Sequence, residues 1–181
     1  MTKKLINQKG KLDEVLINTI EPNFIFADKP INRFNIINNN EDDAHPGNKA
    51  DLLKDLQSKI NSIENCSLKD NSKNIVLGDG NINSPIMLIG EAPGIEEDKT
   101  GSTFKGEIGE LLNKMLLAIG IERHNIYCSY AINFRPPEDR KPTTLEIKRY
   151  SVFLKEHISI INPKIIILMG SSAMEAVTGI N

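Results

Sequence analysis

Three short, largely apolar runs alternate with stretches of helical periodicity: Ile86-Met-Leu-Ile89, residues 125–132, and Ile165-Ile-Ile-Leu-Met169. A strand that is apolar at every position is covered on both faces, and strands separated by helices pair in parallel through crossovers. The chain is therefore expected to be α/β, a three-layer αβα sandwich around a central parallel sheet. Ligands of such sheets bind beyond the carboxyl ends of the strands, which is where the Gly/Pro loop Gly90-Glu-Ala-Pro-Gly94 leaves the first of these runs.

Periodicity places the helices. Residues 51–63 put Leu52, Leu53, Leu56, Ile60 and Ile63 on one face. Residues 108–119 are expected to turn Leu111, Leu112, Met115, Leu116 and Ile119 inward. Thr143 and Glu146 have the spacing of a capping box. The helix they open carries Ile147, Tyr150, Phe153, Leu154, Ile158 and Ile161 on its apolar face, with Pro163 after its end. Gly170-Ser-Ser172 starts a last helix. Residues 74–77 are expected as a short strand ending in a turn at Gly78-Asp-Gly80. Ahead of these, residues 12–20 form a short amphipathic pattern and the polar run 38–47 has linker composition. The chain is thus divided into an N-terminal helical extension and linker, 1–50, and a main domain, 51–181.

Composition removes several classes of function. No apolar run reaches the ~18 residues of a membrane helix. The N-terminus lacks the apolar core of a secretory signal. Two cysteines, Cys66 and Cys128, are too few for a disulfide framework and fit a reducing cytoplasm. A net charge of −2 gives no general attraction to nucleic acid, so any DNA contact requires a local basic patch.

Two segments carry chemistry. In the first, 90–106, glycines at 90, 94, 101 and 106 permit tight turns and close backbone approach. Glu91 lies just past a strand tip, where a carboxylate can face a pocket. Phe104 sits in a loop of small residues, either packed on a ligand or plugging the sheet edge of an ordinary βα connection. The segment has neither the Gly-x-x-x-x-Gly-Lys-Ser/Thr phosphate loop nor Gly-x-Gly-x-x-Gly. It has no Gly-x-Ser-x-Gly nucleophile turn either. In the second, Phe134-Arg-Pro-Pro-Glu-Asp-Arg-Lys-Pro142, three prolines stiffen an exposed path. Arg135, Arg140 and Lys141 make that path basic, which suits a phosphate backbone. A merely solvated surface loop is the competing reading.

Taken together, GEAPGIEEDKTGSTFKGEIGELLNKML and RPPEDRKPTTLEI followed by PKIIILMG resemble the motifs of family-four (iron–sulfur type) uracil-DNA glycosylases. The likeness runs over residues 66–178, and Pro30-Ile-Asn-Arg-Phe34 resembles extensions on some alphaproteobacterial members. The resemblance implies the αβα sandwich and hydrolysis of the N-glycosidic bond of uracil in DNA, with the base flipped into the pocket. It gives Glu91 the catalytic role, positioning the attacking water and balancing positive charge on the sugar. Phe104 aligns with the aromatic that stacks on uracil. Main-chain amides near Gly90 and Ala92 hold the uracil carbonyl or the water, and Tyr130 occupies the base-reading position. Uracil-containing DNA is the expected partner of a monomeric chain, with no membrane.

Three departures from that pattern shape the expectations. Of the four positions that carry cluster cysteines in the family, only Cys66 is one; Ile63, Phe134 and Tyr150 occupy the others. One ligand does not hold a four-iron cluster, so no metal or cofactor is expected, and Phe134 and Tyr150 are read as filling the vacated volume. Cys128 is read as a small buried apolar residue. Tyr130 stands where the family has Asn, replacing a donor and acceptor by one hydroxyl, which weakens uracil recognition or changes the preferred base. The family's last strand and His-Pro motif have no counterpart before Asn181, and His45, His124 and His157 are read as surface or packing residues. The expectation is a truncated sequence. The readings that remain are an active glycosylase, a non-catalytic DNA- or uracil-binding module of the same fold, and an unrelated nucleotide-binding α/β domain.

Overall fold

The computed structural model describes residues 48–180; the expected elements at 12–20 and 38–47, the stretch at 30–34 and His45 lie outside them. The elements, in chain order, are α1 (Lys49–Asn61), α2 (Ser67–Asn71), β1 (Gly78–Gly80), β2 (Ile86–Gly90), α3 (Ile95–Thr100), α4 (Gly106–Ala118), β3 (Tyr127–Tyr130), α5 (Thr144–Ile161), β4 (Ile165–Leu168) and α6 (Ser171–Thr178). The sheet order is β1-β3-β2-β4. β2 lies between β3 and β4 and pairs with both in parallel, as the apolar runs require.

Side chains alternate across this sheet. Met87, Ile89 and Tyr127 enter one core with Leu53, Leu56 and Ile60 of α1, Ile147, Tyr150 and Leu154 of α5, and Ala173 and Ala176 of α6. Leu88, Cys128 and Tyr130 enter a second core on the opposite face, with Leu112 and Leu116 of α4. Each fully buried Leu or Ile contributes about 1.5–3 kcal/mol by leaving water. The two cores make the layers of an αβα sandwich. α5 starts at the expected capping box, in which the Thr143 hydroxyl accepts the Glu146 N–H at 3.3 Å and the Glu146 carboxylate accepts the Thr143 N–H at 2.7 Å. No helix among the described residues is long and apolar enough to cross a membrane.

Three local expectations are corrected. The expected turn at 78–80 is the strand, and it runs antiparallel to β3, so the sheet is mixed rather than wholly parallel. Residues 75–77 instead pack on the cores, with Val76 fully buried. Glycine at 78 is what admits the pairing: a Cβ there would stand 2.7 Å from the Cys128 carbonyl oxygen. The third apolar run is covered on one face only. Ile166 and Leu168 pack inward, whereas Ile165 and Ile167 are 55% and 38% exposed, because no described element lies over that side of β4. In α4, Leu112 and Leu116 are buried but Leu111, Met115 and Ile119 are exposed. The helix meets the sheet along a single ridge, narrower than its apolar composition suggested.

Candidate active site

A cavity of about 660 Å³ opens at the carboxyl ends of β2 and β3. Its walls are the Gly90–Gly94 loop, the Phe104–Ile108 turn, Tyr130, Met169 and the Pro-rich loop from Pro136 to Pro142. Gly90, Glu91, Ala92, Phe104, Tyr130, Arg140 and Lys141 all line this one space, although 50 residues separate the first from the last. Arg135 is not part of the lining.

Glu91 emerges at the tip of β2 and is half-buried. Its Oε1 accepts the main-chain N–H of Ser172 at 2.9 Å and the hydroxyl of Ser171 at 3.3 Å. Burial raises the carboxyl pKa, but the main-chain and side-chain bonds from Ser172, the Lys141 charge and the Ser171 hydroxyl together outweigh it, and the net shift is downward. The group is held as a carboxylate. The tip is tied to β3 by Ala131, whose N–H donates to the Gly90 carbonyl at 2.8 Å.

Phe104 takes φ +49°, a left-handed conformation that is rare for a bulky side chain and costs on the order of 1–2 kcal/mol. Its neighbours hold it there. The Phe104 N–H donates to the Tyr130 hydroxyl at 3.0 Å, and the two rings lie 4.9 Å apart. Gly109 lets α4 approach: a Cβ at 109 would fall 1.9 Å from the Phe104 carbonyl oxygen. Gly90 provides the same clearance beneath the rings, where a Cβ would be 2.7 Å from Tyr130 and 2.9 Å from Phe104. Burial pushes the Tyr130 hydroxyl pKa up, so it remains a neutral phenol.

Carboxylates outside the expected set brace these loops. Glu97 accepts the Gly94 N–H through Oε2 at 3.0 Å and the Lys105 N–H through Oε1 at 2.8 Å, joining the two walls of the cavity. Asp98 receives the N–H groups of Lys73 and Asn74. Asp79 receives the Thr103 N–H and hydroxyl, both at 2.8 Å, and pairs with Arg123. Glu97, Ser171, Ser172 and Met169 were not singled out from sequence. Glu97 three residues after Gly94 has the spacing of the carboxylate half of a capping box, which was the legible signal; the others become visible only when β4 is seen beside β2.

The cations of the Pro-rich loop are largely paired, one within the loop and one with the start of α5. Arg135 binds Asp139 through two nitrogens, at 2.6 and 2.9 Å, and Arg140 binds Glu146 in the same manner at 2.7 and 2.9 Å. Lys141 has no such ion pair among the described residues.

The positions matched to cluster ligands gather in the α1/α5 core. Cys66 Sγ lies 3.2 Å from the Tyr150 hydroxyl, Phe134 meets Tyr150 edge to face at 6.4 Å, and Ile63 packs alongside. This set offers one sulfur donor, while Ile and Phe have none, so it does not fit a four-iron cluster. Cys128 is fully buried, with its thiol pushed up to about 12 by desolvation. His124 is largely exposed beside Glu122. His157 is buried between β3 and α5, against Tyr127 and Ser129 and away from the cavity.

Comparisons with known proteins give the family. The sequence model of the Uracil DNA glycosylase superfamily matches residues 77–181. The chain is 37% identical over 126 residues to the Type-4 uracil-DNA glycosylase of Thermotoga maritima, covering 70% of this chain and 66% of that protein. It is 36% identical over 123 residues to the Archaeoglobus fulgidus Type-4 uracil-DNA glycosylase, covering 68% and 62%. It is 39% identical over 121 residues to that of Sulfurisphaera tokodaii, covering 66% and 55%. The chain thus spans less than two thirds of the length of these relatives.

Proposed function

This chain belongs to the uracil DNA glycosylase superfamily, and on that premise we propose that it excises uracil from DNA by hydrolysing the N-glycosidic bond. The observation that carries the reading is that Glu91 and Phe104 line one cavity at the carboxyl end of β2. The named relatives are uracil-DNA glycosylases, which supports the same assignment.

In this reading the flipped base stacks on Phe104, a contact worth about 1–3 kcal/mol. The Gly90 and Ala92 main chain borders the base carbonyl. As the C1′–N1 bond breaks, N1 leaves with the bonding pair and positive charge develops on the sugar, which the Glu91 carboxylate balances. A water molecule adds its oxygen to C1′ and passes its proton to Glu91. That proton then reaches the departing uracil, leaving an abasic sugar and a regenerated carboxylate. Lys141, with Arg135 and Arg140, supplies contacts to the phosphate backbone. The protein works in the cytoplasm as a monomer and without an iron–sulfur cluster; Phe134 and Tyr150 fill that volume with packing.

The test is single-turnover excision from a uracil-containing oligonucleotide. Glu91→Gln and Phe104→Ala each slow the step by at least about tenfold if the reading holds, since each removes roughly 1.4 kcal/mol or more of transition-state stabilisation. Parent-like rates in both would sink the site assignment.

A second reading is favoured by Tyr130. Its single hydroxyl already accepts the Phe104 N–H, so the base edge meets no donor–acceptor pair from that side chain. In that case the chain is a DNA- or uracil-binding module, and it binds uracil-containing DNA without releasing free base.

A further inference from the structure

The fold ties the Glu91 carboxylate to the start of α6. Oε1 accepts the N–H of Ser172 and the hydroxyl of Ser171. The Ser172 hydroxyl bonds the carboxylate as well, and Glu91 lines the cavity. Gly170, at φ +102°, allows this approach: a Cβ there would lie 2.4 Å from the Glu91 carboxyl carbon. The contact follows from topology. β4 lies beside β2, with the Met169 N–H donating to the Ile89 carbonyl at 2.8 Å, so the β4–α6 junction emerges next to the tip that carries Glu91.

From this we infer that Gly170, Ser171 and Ser172 are positioning residues for Glu91: they anchor its carboxylate on the first turn of α6 and so fix the direction in which it meets water and the sugar. The inference rests on the glycosylase reading of Glu91. Its physical content is orientation. A carboxylate with both oxygens free turns about its last bond and presents either one, whereas an anchored carboxylate holds one orientation before substrate arrives. The bonds to Oε1 also favour the ionised form. The other charged groups around the cavity are Glu96 and Glu97 of α3, Lys105 and Glu107 at the start of α4, and Asp139, Arg140 and Lys141 of the Pro-rich loop. Of these, Lys141 acts on Glu91 in the same sense as the α6 turn.

The experiment uses the full chain and four variants. Ser172→Pro deletes the N–H donor, and the Ser172 hydroxyl with it, at a first-turn position where helices accept proline. Ser171→Ala deletes the hydroxyl, Ser171→Thr keeps it, and Glu91→Gln is the reference. The Glu91 carboxyl is followed by carbon NMR in glutamate-labelled protein, its signal identified by loss in Glu91→Gln, together with single-turnover excision across pH. The expected result is an upward move of the Glu91 titration in Ser172→Pro and a smaller one in Ser171→Ala. The acid limb of the rate profile moves with it, and the plateau rate in Ser172→Pro drops by about tenfold or more. DNA affinity is unchanged, and Ser171→Thr behaves as the parent. Thermal unfolding confirms that each variant is folded, and Ser171→Ala keeps the test open if Ser172→Pro is not. A Glu91 titration and rate profile that stay put in folded Ser172→Pro or Ser171→Ala, while Glu91→Gln is slow, overturn this inference alone. If Glu91→Gln excises as fast as the parent, the reading beneath it falls instead.

Discussion

The main-chain N–H of Phe104 donates to the Tyr130 hydroxyl at 3.0 Å, with the two rings 4.9 Å apart. One tyrosine thus holds the backbone of a strained residue and supports its ring. Tyr130→Phe keeps the ring and leaves the Phe104 N–H buried without an acceptor, a loss of about 1–3 kcal/mol. Urea denaturation is expected to show a lower midpoint at unchanged slope. Uracil excision should slow more than the stability loss explains, because the turn that aims Phe104 is freed. A variant as stable as the parent would show that the hydroxyl does not restrain this turn.

Gly90 and Gly109 give the same turn its clearance from opposite sides. Gly109→Ala drives a Cβ into a main-chain carbonyl, which cannot swing aside; Gly90→Ala meets two rings, which can. Gly109→Ala is therefore expected to be the more destabilising, by more than about 2 kcal/mol. Gly90→Ala is expected to fold and to lose affinity for uracil-containing DNA as the rings shift into the cavity. Binding and thermal melts on both variants check the order.

His157 makes acid stability a sharp test of the core. Ser129 donates its hydroxyl to the Leu77 carbonyl at 2.7 Å, so His157 Nδ1–H donates to Ser129 Oγ and Nε2 accepts from Tyr127 at 2.9 Å. The neutral ring is fully paired, and burial holds its pKa down at about 4. The unfolded chain takes up a proton near pH 6.5 and the native one only near 4. The contribution is complete above about 6.5 and is lost as pH falls from there toward 4, on a scale of roughly 3 kcal/mol. Replacement by a neutral residue such as His157→Gln should flatten the dependence of melting temperature on pH across that window. A parent-like slope would place the titrating group elsewhere.

Because Arg135 and Arg140 are paired with Asp139 and Glu146, Lys141 is the loop cation best placed to meet phosphate. Lys141→Ala is expected to weaken binding of uracil-containing duplex and to reduce the slope of log K against log salt by about 0.9. Arg135→Ala and Arg140→Ala should change that slope less, since each also frees a carboxylate. Equal slopes for all three variants would mean the internal pairs open on DNA.

The positions that the family resemblance aligns with cluster ligands pack in the α1/α5 core. Phe134→Ala opens a cavity beside Tyr150 and is expected to cost about 3–5 kcal/mol, whereas Tyr150→Phe, which loses only the contact with Cys66, should cost about 1 kcal/mol. Chemical denaturation separates the two.

What the sequence by itself determined is the layering and the end of the sheet at which the candidate site lies. Continuous apolar runs demand cover on both faces, and a Gly/Pro loop after the first of them marks the mouth of a pocket, because these are local rules of burial and turn geometry. Glu91 was legible as a carboxylate just past a strand tip, and the Thr143–Glu146 cap by its spacing; Phe104 stayed open between a ligand contact and a sheet-edge plug until the family resemblance gave it a role. What only the tertiary structure decided depends on which strands are neighbours. Glycines 78 and 80 read as a turn until the proximity of β3 makes them a strand. Ile165 and Ile167 read as buried until the edge position of β4 exposes them. The bond from Ser172 to Glu91 joins residues 81 apart in the chain. No periodicity encodes it, because it arises from β4 settling beside β2, an outcome of the sheet's pairing order rather than of either segment alone.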